Sequence, residues 1–287
     1  MTVENPPARP TAWQPFTPGG VASFGGAPLL RLWFFQLLFA LLAAAAVLWF
    51  IQTAWLPPIR QAIQQLPDQG VIKAGELVWR GDSPLVLAAG NFLALRVDPD
   101  HSGTLQSPSQ IEVEFGRNTL RIFSLFGYVD IPYPKQWNLG FNQADLTPWW
   151  GAWEPPILWM VFGGVVAGLL ITWWLLASLY CLPVWLAALF ANHDLDLAGA
   201  WKLGGAALLP GALLLTVSIV CLAAGTLDLV KFLAVFSAHW FCGWIYLIAG
   251  VVASPKAAAA GADSKNPFAT EKNLKPEEES QERGGKR

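Results

Sequence analysis

The residues best equipped for chemistry lie together in Asp98-Pro99-Asp100-His101-Ser102-Gly103. Oxygen-bearing side chains at alternate positions, followed by glycine, resemble the first half of a calcium-binding loop. A hard cation needs several oxygens converging within one turn, and Asp98, Asp100 and Ser102 supply three. The twelfth place, which such a loop fills with a bidentate Glu, holds Ser109. Pro99 and the strand-like flanks also depart from a helix-loop-helix. A turn between two strands uses the same residue types. The expectation is a strand-connecting turn, with calcium as the one cofactor the pattern could serve.

Lys231 and His239 form a second candidate, inside a hydrophobic window that opens just after Asp228. Eight residues apart, they share roughly one helix face. Ionisable groups in lipid are costly and mark ion or proton paths. Against that, Lys231 is near enough to the helix end to reach water, and a lone imidazole can simply donate to a backbone carbonyl. His193, Asp194 and Asp196 make a third group, in a short polar turn where helix capping explains them. Cys181, Cys221 and Cys242 all fall in apolar windows, without CxxC or Cys/His spacing. They read as small buried apolar residues. Nucleophile elbows, P-loops, dinucleotide fingerprints and zinc-protease motifs do not occur. No catalytic or cofactor-binding residue is therefore assigned.

The elements that must position these groups follow from charge segregation. Hydrophobic residues make up 54% of the chain and charged ones 13%, about half the usual globular share. Windows at 29–55, 157–182, 203–224 and 229–253 are almost free of charge. About 20 apolar residues cross a bilayer, so each is long enough. The reading is an α-helical membrane protein with about four transmembrane helices and a small all-β extracytoplasmic domain. Residues 1–28, rich in Pro and Gly, read as a disordered tail, and 29–56 as the first transmembrane helix, stopped by Pro57-Pro58. Residues 57–155 read as the β-rich domain, 156–253 as a three-helix bundle and 254–287 as a disordered charged tail.

Within the domain, β-like runs at 71–79, 85–88, 92–97, 111–115 and 120–129 alternate with turn residues. Ile111-Glu112-Val113-Glu114-Phe115 alternates strictly, the mark of a half-buried strand. The expectation is antiparallel strands in a small sandwich or curled sheet, after a short helix at 60–66. Prolines 132, 134, 148, 155 and 156 are expected to forbid regular structure over 131–156, where Trp137, Trp149, Trp150 and Trp153 make an aromatic collar at the headgroup layer. Pro210 should kink the third helix.

Four spans put both termini on one side. Lys and Arg concentrate after residue 253 and near the first span, which favours cytoplasmic termini in a cell membrane, with the domain outside. The arrangement resembles a group of uncharacterised bacterial multi-pass membrane proteins with one anchor helix, a β-rich extracytoplasmic insert and a three-helix C-terminal bundle. The residues carrying it are Pro57-Pro58, the stretch 66–79, Leu95-Arg96-Val97-Asp98, and Ala200-Trp201-Lys202 leading to Leu209-Pro210-Gly211. The last pattern is also similar to Yip-domain membrane proteins. The resemblance implies multi-pass topology, a bacterial inner membrane and no catalytic residue. The partners expected are the lipid bilayer and a protein partner or second copy. A net charge of −2 leaves no basic surface for nucleic acid. The function expected is non-enzymatic binding, sensing or docking through the domain. A transporter or transporter subunit using the His239 face is the alternative, and a membrane enzyme the third.

Overall fold

Four helical stretches are long and apolar enough to cross a membrane: Leu29–Gln64, Gln143–Phe190, Leu197–Ala223 and Leu229–Val252. They belong to a computed structural model that describes residues 14–103 and 107–257. A small β domain lies between the first stretch and the second.

Within residues 1–28, where a tail was expected, the described residues include a helix. Helix α1, Pro18–Gly25, is capped by Thr17, whose hydroxyl accepts from the Gly20 N–H at 3.1 Å. Proline is tolerated in a first turn because its missing N–H has no partner there anyway. Val21 and Phe24 are fully buried against later helices, so burial rather than propensity holds α1 in place. Residues 1–13 and 258–287, the rest of the two expected tails, lie outside the described residues.

Helix α2, Leu29–Phe50, does not stop at Pro57-Pro58. It passes through a π-helical turn, Ile51–Trp55, into α3, Leu56–Gln64. A proline ring clashes with the carbonyl four residues back and lacks an N–H. The wider π turn ahead of the two prolines moves those carbonyls aside, and the prolines occupy the first turn of α3. The combined rod of 36 residues is about 54 Å long.

Helix α4, Gln143–Phe190, corrects the second expectation from proline. It begins well inside the stretch 131–156 and contains Pro148, Pro155, Pro156 and Pro183. Asn142 caps it by accepting from the Asp145 N–H at 2.9 Å. In apolar surroundings an unpaired backbone group is costlier than a kink, so the helix continues past each proline. Of the tryptophans expected in an irregular collar, Trp149, Trp150 and Trp153 therefore ride on a helix that runs directly into the apolar segment, while Trp137 lies just before the last strand of the domain. Helices α5, Leu197–Ala207, and α6, Leu209–Ala223, meet at Leu208, and Pro210 sits in the first turn of α6. Helix α7, Leu229–Val252, completes the bundle.

Small residues set the closest crossing. A Cβ on Gly211 of α6 would stand 2.7 Å from the His239 carbonyl oxygen of α7. At the opposite end of the bundle from the β domain, the chain is stitched together. Asp194 N–H donates to the Pro255 carbonyl at 2.8 Å, and His193 Nδ1 lies 2.7 Å from the Ser254 carbonyl. Lys202 Nζ donates to the Ala27 carbonyl at 2.8 Å, and the Tyr246 hydroxyl to the Phe16 carbonyl at 2.8 Å.

The domain holds eight strands among the described residues. A three-stranded antiparallel sheet has the order β2 (Glu76–Val78), β1 (Val71–Lys73), β8 (Asn138–Gly140). A five-stranded sheet runs β3 (Leu85–Ala89), β4 (Leu93–Val97), β5 (Ile111–Phe115), β6 (Thr119–Ser124), β7 (Gly127–Pro132). Against the expectation, β4 and β5 are parallel. Parallel neighbours need a crossover of about a dozen residues or more, and residues 98–110 supply it. Nor is the domain all-β. Ala62 of α3 and Leu66, just past its end, pack with Ile72, Leu87, Val97 and Phe141 in its core.

Candidate functional site: a charge ladder under a polar cleft

Alternation along each strand puts every second residue on the face away from α3. Register then decides which of these become neighbours. On that outer face Arg96 of β4 stands opposite Glu114 of β5, Glu114 opposite Arg121 of β6, and Arg121 opposite Asp130 of β7. The result is a ladder of alternating charge across four strands. One row along, Glu112 faces Phe123, and Phe123 faces Tyr128.

The ladder is buried at one end and open at the other. Arg96 is 6% exposed and Glu114 2%. One guanidinium nitrogen of Arg96 lies 2.6 Å from a carboxylate oxygen of Glu112 as an ion pair, and another donates to Glu114. The second carboxylate oxygen of Glu114 accepts from His101 Nδ1. Arg121 makes a two-pronged contact with Asp130, at 2.5 and 3.0 Å. That contact holds the Asp130 carboxyl below its ordinary value and raises Arg121. The centre of the Phe123 ring lies 5.4 Å from the Arg96 guanidinium and 5.9 Å from that of Arg121. Both separations fall within cation–π range, about 6 Å.

The turn after β4 places His101. Asp98, 1% exposed, accepts from the Ser102 hydroxyl at 2.9 Å and from the Gly103 N–H at 3.3 Å. Burial disfavours its ionisation, but the hydrogen bonds from Ser102 and Gly103 and the nearby Arg96 outweigh it and hold the carboxyl below its ordinary value. Gly116 leaves room for the imidazole, since a Cβ there would lie 2.5 Å from the His101 ring. Tyr133 lies beneath, its hydroxyl donating to the Gly116 carbonyl at 3.2 Å. Burial, and then the charge of Glu114, push its pKa up, so the phenol stays protonated.

Over the ladder lies a cleft of about 610 Å³. Arg96, Glu112 and Arg121 line its floor, and His101, Ser109 and Gln110 of the crossover line a wall. Leu229, the first residue of α7, also lines it. The turn between α6 and α7 therefore sits at the domain end of the bundle.

Comparison of the chain with protein-family models, with curated proteins and with solved structures finds no match. The site is thus read from its geometry alone.

That geometry redistributes the residues singled out from sequence. Asp98 and Ser102 come together, as a turn expects, but Asp100 leaves them to pair with Arg117 at 2.6 Å. The three oxygens of the calcium reading do not converge. Among the described residues no group of three or more His, Cys, Asp or Glu is placed to hold a metal ion. Lys231 pairs with Asp228 at 2.9 Å, at the very start of α7, and His239 Nδ1 contacts the Phe236 carbonyl on its own helix. Asp196 caps α5, accepting from the Gly199 N–H at 2.7 Å. Arg96, Glu112, Glu114, Arg121 and Asp130 were not singled out. The alternation in β5 did place both glutamates on one face, but such a face reads as solvated until its neighbours in the sheet are known.

Proposed function

We propose that this chain is a non-enzymatic integral membrane protein whose β domain faces the extracytoplasmic side and binds a small polar ligand in the cleft above Arg96. The observation carrying this reading is that the cleft has walls from both parts of the molecule. His101, Glu112 and Arg121 come from the domain, and Leu229 comes from the first turn of α7. An occupant touches both, so its binding free energy acts on their relative position.

The bundle supports the membrane part of the reading. Trp33, Phe34, Leu175, Leu179, Phe241 and Ile245 are each more than half exposed, on three different helices. In water an apolar surface of that extent would associate, whereas hydrocarbon solvates it. The excess of Lys and Arg after residue 253 supports cytoplasmic termini.

Both signs of charge line the cleft, together with serine and glutamine, which suits zwitterionic or polyhydroxylated ligands. Thermal unfolding of the full chain in detergent, with and without amino acids, betaines and monosaccharides, tests it. Stabilisation by a member of that panel should disappear in Arg121→Ala and persist in Arg117→Ala, whose side chain lies outside the cleft. Stabilisation surviving Arg121→Ala unchanged would overturn the assignment of the site.

A further inference from the structure

The opposite face of the same sheet holds a second cavity, independent of the polar cleft. It is a half-open pocket of about 380 Å³ between the inner sheet face and the two helices that enter and leave the domain. Ile59 and Ile63 of α3, Leu95 of β4, Leu120 of β6, and Trp149 and Trp150 of α4 are among its walls. The pocket reaches the range of small-molecule sites, about 300–1,000 Å³. Its named walls are aliphatic and aromatic, so a ligand's polar groups would lose water there without gaining partners. What fits is hydrocarbon.

We propose that this cavity takes one acyl chain of a lipid from the adjacent leaflet. Its position argues for that source. The walls α3 and the first turns of α4 are the domain-side ends of two membrane-length helices, so the cavity begins where those helices leave the lipid. Trp137 and Trp149 line it and are nearly half exposed, and indole favours the headgroup layer. The volume suits one hydrocarbon chain and leaves the second chain and the headgroup of a two-chain lipid outside. Beside the walls, Arg60 adjoins Ile59 and pairs with Glu154, which gives the headgroup region a charged neighbour.

The test uses the full chain in phosphatidylcholine vesicles that carry a small fraction of the same lipid with a diazirine at one chain end. After illumination, labelled peptides are mapped by mass spectrometry. Label is expected on residues 59–66 and on β4 and β6, in addition to the lipid-facing helices. In the Leu95→Trp/Leu120→Trp double variant the cavity is filled. Its domain label should fall to background while the helix label persists. Label confined to the helices in the unaltered protein overturns the proposal, whether or not the double variant folds. A second arm adds a diazirine fatty acid from water to protein in unlabelled vesicles. Domain label in that arm alone overturns the leaflet source and assigns the cavity to a soluble amphiphile.

Discussion

Replacing Arg96 by leucine removes the guanidinium that faces both Glu112 and Glu114. Two carboxylates are then left on a floor where Glu114 is almost wholly screened from water. Hydrogen bonds to charged groups contribute about 1.5–3 kcal/mol each. Breaking a buried pair by removing one partner costs about 3–5 kcal/mol. The guanidinium over Phe123 adds about 1 kcal/mol. These overlap, so the expected loss is about 4 kcal/mol, a large part of the roughly 5–15 kcal/mol that holds a domain folded. The assay is hydrogen exchange of β4, β5 and β6 in the full chain, in lipid nanodiscs. A loss of that size speeds exchange of the central strands about a thousandfold. Replacing the whole group (Arg96→Leu, Glu112→Leu, Glu114→Met) should restore most of the protection, because an apolar set of similar volume often does as well as a buried ion cluster. An increase of less than about tenfold in the single variant would refute the reasoning, since the carboxylates would then be solvated through the cleft. So would a triple variant as unstable as the single one, because the loss would then come from packing and not from charge.

Three further outcomes follow from the geometry. The contact with Arg60 holds Glu154 below its ordinary value. Its contribution is therefore complete above the ordinary carboxylate range and is lost as pH falls through the lowered folded value. With Arg60 half exposed the effect is small, about 1 kcal/mol or less. Glu154→Gln should flatten the acid side of the melting-temperature profile by that amount. Asp98→Ala leaves the Ser102 hydroxyl and Gly103 N–H without their shared acceptor and should cost about 1–3 kcal/mol, read by denaturant unfolding of the full chain. Gly211→Ala forces a methyl against the His239 carbonyl and should destabilise the bundle by about 1–3 kcal/mol, measured as a lower melting temperature in detergent. Gly163→Ala, with open space around it, should melt no lower than the unaltered protein.

The long helices were legible because their signal is an absence of charge sustained over many residues, which neighbours cannot cancel. Prolines misled for a local reason. Pro57-Pro58 and Pro155-Pro156 break helices in water, where freed backbone groups find solvent, but apolar surroundings favour continuation. Helix α1 was hidden because Pro18-Gly19-Gly20 has the composition of a linker, and only burial of Val21 and Phe24 against distant helices fixes it. In the domain, β3, β4 and β5 stand where single strands were expected, but the runs at 71–79 and 120–129 each fold back into a hairpin, and β8 lies in a stretch read as irregular. The order of the strands was not legible. The parallel pairing of β4 with β5 depends on how residues 98–110 cross, and only that pairing sets Arg96 beside Glu112 and Glu114. In the turn after β4, as expected of a turn, Asp98 bonds to Ser102 and Gly103, and Asp100 pairs with Arg117. A charge ladder is a property of register, and no window of adjacent residues contains it.

The first and last strands of the domain, β1 and β8, lie side by side, with Val71 opposite Gly140. The polypeptide thus enters and leaves through one narrow doorway, and everything between is a closed excursion from the bundle. An excursion of that kind is portable. Lifted out, it would have to take the end of α3 with it, because Ala62 and Leu66 complete its core, and that larger piece could be grafted onto another helical hairpin of matching separation.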